Sequence, residues 1–135
     1  MFLEPWPSFD HDEIQAAKKV LSSGKVNYWT GDECKLFESE FAEWTETKFA
    51  IAIANGTLAL SAAYNAIGVK PGDEIITTPR TFIATASSAI LLGAKVIFAD
   101  VDADSGAITS ESIEPLISQR TKAICVVHLG GWPAE

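Results

Sequence analysis

Between Phe49 and Val127 the sequence alternates between two kinds of segment, short apolar runs rich in strand formers and longer stretches of helix formers. Phe49–Ala54, Ile75–Thr78, Lys95–Ala99 and Lys122–Val127 read as strands, and Thr57–Ile67, Thr81–Leu92 and Ser110–Ser118 read as the helices between them. Strands that are apolar on both faces must be covered on both faces. When each returns through a helix, the sheet they form is parallel. The fold class expected is therefore α/β, a three-layer α/β/α arrangement around a mainly parallel sheet. Punctuation supports it: Gly68 and Gly93 close the first two helices, "KPGDE" turns the chain before the second strand, and Asp102–Ala107 is a short polar turn.

Upstream of the alternation the chain reads as helical. Asp10 with Glu13 three residues on is a capping box opening a helix that runs to Ser23 and stops at Gly24, with Ile14, Ala17 and Leu21 on its buried face. Cys34, Phe37, Phe41 and Trp44 recur at helical spacing and predict a second helix over 33–46. No repeat, low-complexity stretch or internal linker interrupts the chain. The division expected is a helical segment at 1–48 and the sheet-forming part at 49–135.

A chain of 135 residues is of single-domain length and can bury roughly 70% of its unfolded surface. Ten basic against eighteen acidic residues give a net charge of −8, with no basic run to follow a phosphate backbone, so nucleic acid is not an expected partner. No apolar run is long enough to span a bilayer, and the start "MFLEPWPSFDHDE" has neither a basic nor an apolar signal region. Cys34 and Cys125 are isolated, which fits neither a disulfide framework nor a zinc site, so a cytoplasmic location is the default.

Chemistry is expected at the carboxyl ends of the strands, where open parallel sheets bind ligands. Asn55-Gly56-Thr57 falls at one such end, at the start of a helix. Unpaired amides and the positive end of the helix dipole can hold an anion there; Gly56 permits close approach and Thr57 adds a hydroxyl. A tight turn with Asn55 or Thr57 as cap accounts for the same residues. At the next strand end, "TTPRTF" places Pro79 as the strand stop, Thr81 as a helix cap and Phe82 on the first turn. Phe82 can stack on a flat heteroaromatic ligand or serve as a core or staple residue. An anion cradle beside an aromatic ring suits a phosphorylated aromatic cofactor. A dinucleotide fits badly, because one glycine stands where G-x-G-x-x-G is needed and no carboxylate ends the second strand. Other site chemistry is weak: Ser87 and Ser88 sit in a run of small helical residues, His11 in a charged helix start, and the four residues of "DHDE" point different ways on a helix, so no metal site is expected.

These segments, in order, resemble the DegT/DnrJ/EryC family of pyridoxal-phosphate-dependent sugar aminotransferases, of the aspartate aminotransferase fold type. The match runs through "GKVNYWTGDECKLFESEFAEWT", "AIANGTLALSAAYNAIGVKPGDEIITTPRTFIATASSAILLGAKVIFADVD" and "TKAICVVHLGGWPAE". The resemblance implies that Gly56, Thr57 and Leu58 hold the phosphate of pyridoxal 5'-phosphate (PLP) through amides and the Thr57 hydroxyl, and that Phe82 stacks on the pyridine. It makes Trp29, Thr30 and His128 candidates for substrate contact, with Trp29 better read as a loop anchor. The family's pyridine-pairing Asp and Schiff-base Lys have no match within these residues. Lys70, Lys95 and Lys122 read as solvated surface. The resemblance thus implies the N-terminal part of a fold-type I large domain, inactive alone and without a catalytic residue of its own. The parent would be a cytoplasmic homodimer moving an amino group, from glutamate, onto a nucleotide-linked keto-sugar for amino-sugar or surface polysaccharide synthesis. A dehydratase branch of the family, a non-catalytic module binding a phosphorylated ligand or a partner, and a different small α/β enzyme stand as alternatives. The chain by itself is expected to self-associate through an uncovered edge strand and apolar surface.

Overall fold

A computed structural model describes residues 6–135; residues 1–5 of the N-terminal segment lie outside the described residues. The chain forms two compact units, one ending at Ala52 and one spanning Ile53–Glu135.

The first unit carries two helices. α1 (His11–Ser23) opens with the expected capping box: the Asp10 carboxylate accepts from the Glu13 amide at 2.9 Å, and the Glu13 carboxylate accepts from the Asp10 amide at 2.8 Å. Gly24 ends the helix in the left-handed region. Ile14 and Leu21 do share a face, but that face is open to solvent and α1 buries no residue. Its stripe, with Phe9 and Ala17, lines a shallow surface groove. α2 (Glu33–Trp44) stops two residues short of the expected end, because the Thr45 hydroxyl bonds back to the Phe41 carbonyl and Glu46 takes a positive φ. Phe37, Phe41 and Trp44 stack on one another with centroids 5.7 and 5.5 Å apart, yet all three are exposed; Ala42 is the helix's buried residue.

In the second unit, α3 (Gly56–Ala66) leads to β1 (Glu74–Thr77), α4 (Ala84–Leu91), β2 (Lys95–Phe98), α5 (Ser110–Ile113, continued by a 3-10 turn to Leu116) and β3 (Thr121–Ile124). The sheet is parallel in the order β2-β1-β3, so the α4 connection leads out to one side of β1 and the α5 connection crosses back to the other. Burial on both faces is visible in adjacent residues of β1. Ile75 packs with Tyr64, Val69, Ala89 and Ala94 beneath α3 and α4, and Ile76 packs with Ala99 and Ile108 on the opposite face. The three-layer α/β arrangement is present.

Four expectations differ in extent. Phe49–Ala54 belongs to no strand among the described residues; Phe49, Ile51 and Ile53 are exposed, and a strand exists only where a neighbour supplies its ladder. The 81–83 stretch is a turn, so α4 starts at Ala84 with Thr81 outside it. The helix expected to reach Ser118 yields to a 3-10 turn at Pro115, which lacks the N–H that a longer α-helix needs. β3 ends at Ile124, although Cys125 still donates to Ile76 at 2.8 Å. Elsewhere the turns follow the sequence: Gly93, at φ 82°, sits so close to Pro71 that a Cβ there would fall 2.9 Å from its ring.

At the amino ends of the strands, a register shift between Glu74 and Ile75 skips Lys122 on β3. Glu74 closes the gap. Its buried carboxylate accepts from Ser118 Oγ at 2.6 Å and from Arg120 Nε and Nη2 at 3.0 and 2.8 Å, and its amide donates to the Arg120 carbonyl at 2.8 Å. The Ser118 hydrogen bond, then the Arg120 guanidinium, hold the Glu74 carboxyl below the ordinary glutamate range.

Candidate functional site

α3 begins at the glycine because Asn55, in extended conformation, caps it: Asn55 Oδ1 accepts from the Leu58 amide at 3.0 Å. The cap therefore uses the amide of Leu58, one of the three residues expected to hold phosphate. Among the described residues the amides of Gly56 and Thr57 have no acceptor, and a Cβ added at Gly56 would meet nothing within 4 Å. Two N–H groups at the positive end of an 11-residue helix are the kind of arrangement that can hold an anion.

The turn after β1 carries Phe82. Pro79 and the Arg80 amide, which donates to Thr78 Oγ1 at 3.1 Å, end the strand. Thr81 Oγ1 and Thr85 Oγ1 lie 2.9 Å apart, and the Thr85 amide donates to the Phe82 carbonyl at 3.1 Å. The chain is thereby kept out of helix until Ala84, and the Phe82 ring, 72% exposed, is a presented aromatic face with no core role. Arg80 reaches across the rim to the turn after β2, where its guanidinium lies directly against Gly106 in the position a Cβ would need. That turn is drawn tight by Asp102, whose carboxylate accepts from the amides of Ser105 and Asp104 at 2.8 and 3.1 Å and from Ser105 Oγ at 2.9 Å. The Ser105 amide is the foremost cause holding the Asp102 carboxyl below the ordinary range.

His128 follows β3 on the same end of the sheet. Its Nδ1 accepts from the Ala134 amide at 3.0 Å, so the neutral ring carries its proton on Nε2, an exposed donor. In the first unit, Asn27 organises the "NYWTG" loop: its Oδ1 accepts from the amides of Trp29 and Thr30 at 3.0 and 3.1 Å and from the Thr30 hydroxyl at 3.2 Å. Trp29 is 88% exposed, touching the edge of Tyr28, so it does not anchor its loop. The Thr30 hydroxyl is spent locally.

Two contributors escaped the reading of the sequence. Ser88, completely buried in α4, donates to the Thr57 carbonyl at 3.2 Å, and the Tyr64 hydroxyl of α3 donates to the Thr85 carbonyl at 3.1 Å. Burial, with the Cys125 thiol beside it, pushes the Tyr64 phenol above its ordinary range and keeps it a donor. Partners 31 and 21 residues apart leave no local trace. Among the described residues, no three His, Cys, Asp or Glu side chains converge as for a metal, and no helix is long and apolar enough to cross a membrane. Lys70, Lys95 and Lys122 are exposed.

Residues 7–135 match the DegT/DnrJ/EryC1/StrS aminotransferase family, and the chain belongs to it. It is similar to the aminotransferase from Psychrobacter cryohalolentis, with 53% identity over 98% of this chain and 34% of that one, at a TM-score of 0.94. It is also similar to Helicobacter pylori PseC, an aminotransferase involved in the biosynthesis of pseudoaminic acid (33% identity, 99% of this chain, 36% of that one, TM-score 0.89). Spr1654 of Streptococcus pneumoniae, solved in a PLP form, aligns with 29% identity over 94% of this chain and 32% of its own, at a TM-score of 0.87. The chain spans about a third of the length of these structures.

Proposed function

We propose that this chain supplies the phosphate- and ring-binding part of a PLP-dependent transaminase acting on a nucleotide-linked keto-sugar. One observation carries the reading: in a chain of this family, the first two amides of α3 have no partner among the described residues, and the space beside Gly56 is open. Gly56 and Thr57 would hold the phosphate with those amides and the Thr57 hydroxyl, the Leu58 amide being engaged by Asn55. Phe82 would cover the pyridine. The bound cofactor supplies the electron-accepting ring on which amino transfer depends; these residues bind it and orient it.

Trp29 and Thr30, in the helical segment 1–48, and His128, through Nε2–H, would face the sugar substrate. The sheet-forming segment 49–135 would carry the cofactor. We further propose glutamate as amino donor, a cytoplasmic homodimer as the working form, and amino-sugar or surface polysaccharide synthesis as the setting. The test is a half-reaction on the full-length polypeptide loaded with PLP. Glutamate is expected to discharge the cofactor's visible absorbance and a nucleotide-linked keto-sugar to restore it. No response to glutamate or any amino donor would contradict transamination and favour a dehydratase.

A further inference from the structure

One half of the candidate cofactor site opens α3 and the other lies on the turn that leads into α4, and a hydroxyl brace joins these elements in the interior. On α4, Thr85 is nine-tenths buried and Ser88 wholly so. Thr85 receives three connections: its hydroxyl meets Thr81 Oγ1 at 2.9 Å, its amide donates to the Phe82 carbonyl at 3.1 Å, and its carbonyl accepts from Tyr64 of α3 at 3.1 Å. Ser88, one turn on, donates to the carbonyl of Thr57, which also accepts from Ser61 Oγ at 3.1 Å. The brace thus grips the residue whose amide opens the anion cradle and the turn that presents the ring.

We infer that Thr85 and Ser88 are positioning residues that set the spacing between the phosphate cradle at Gly56–Thr57 and the ring of Phe82. The inference rests on the proposed cofactor reading and goes beyond it by assigning a role to side chains that touch neither end of the ligand. Hydroxyls at these positions do what alanine or valine cannot. The Ser88 hydroxyl, donating to the Thr57 carbonyl, fixes direction as well as distance between the helices, and the Thr85 hydroxyl, paired with Thr81 Oγ1, holds the turn that presents Phe82; apolar packing tolerates sliding. A ligand that touches both helices profits from a fixed spacing; one that touches only the cradle does not.

The test uses the full-length polypeptide and two probes, pyridoxamine 5'-phosphate, which spans cradle and ring but has no aldehyde to condense with a lysine, and inorganic phosphate, which occupies the cradle alone. Thr85→Val and Ser88→Ala are each expected to weaken pyridoxamine phosphate binding roughly tenfold, the scale of one lost hydrogen bond with its geometry, with phosphate affinity unchanged. Thr85→Ser keeps the hydroxyl and is expected to restore the wild-type affinity. Equal weakening of both probes, or no weakening of either in variants that melt as wild type does, would overturn the brace. If the wild-type protein bound neither probe, the cofactor reading itself would fall, a result distinct from either.

Discussion

Asn55 has two consequences from one side chain. By accepting from the Leu58 amide it starts α3 at Gly56, and that start leaves the amides of Gly56 and Thr57 without a partner among the described residues. Asn55→Ala is expected to cost about 1 kcal/mol, the usual worth of an N-cap, read as a lower melting temperature of the full-length protein. Gly106 is the second position where one atom matters. Its φ of 65° and the Arg80 guanidinium against it both exclude a Cβ. The flexible arginine can swing aside, so Gly106→Ala is expected to cost about 1–2 kcal/mol, from the left-handed backbone alone, and Arg80→Ala is not expected to recover it in a thermal melt. Local signals of this kind were legible. The Asp10–Glu13 capping box and Gly24, Gly68 and Gly93 stand where they were read, because caps and left-handed turns depend on residues within four positions. Trp29 was misjudged as an anchor although Asn27, two residues before it, carries the turn that turns it out.

Elements were legible where periodicity decides and not where pairing decides. The run 49–54 has the composition of a strand, but a ladder depends on a neighbour that no local pattern reveals. The apolar stripe of α1 and the aromatic stripe of α2 recur with the right period, yet periodicity cannot say what covers a face, and among the described residues these remain exposed. Pro115 was a signal in plain view and shortens α5 as proline should. The tie between β1 and β3 gives a pH prediction at this scale. The folded-state pKa of Glu74 lies below its unfolded value, so the contribution is fully present above the ordinary glutamate range and lost as pH falls through the folded value. Glu74→Gln is expected to lower stability at neutral pH and to flatten the acid limb of the stability curve, measured by urea unfolding between pH 7 and pH 3. An unchanged acid limb would contradict the assignment.

For the molecule as a whole, the parallel sheet and its burial on both faces were legible from the alternation of Phe49–Val127, although its first expected strand does not pair. The interhelical brace was not, because it links residues by tertiary contact alone. The stripes of α1 and α2 and the unpaired 49–54 segment leave large apolar side chains open to solvent, the kind of surface through which chains associate. The 135-residue chain produced alone is therefore expected to self-associate, its mass by sedimentation rising with concentration, and Phe37→Ser with Trp44→Ser to reduce that rise. The central claim is that this chain holds the cofactor's phosphate and ring while the covalent anchor comes from elsewhere in the polypeptide. The most direct measurement is to load the full-length protein with PLP, reduce it with borohydride and locate the pyridoxyl group by peptide mass. The account predicts a single modified lysine outside these 135 residues. A label on Lys70, Lys95 or Lys122, or cofactor bound with no lysine modified, would contradict it.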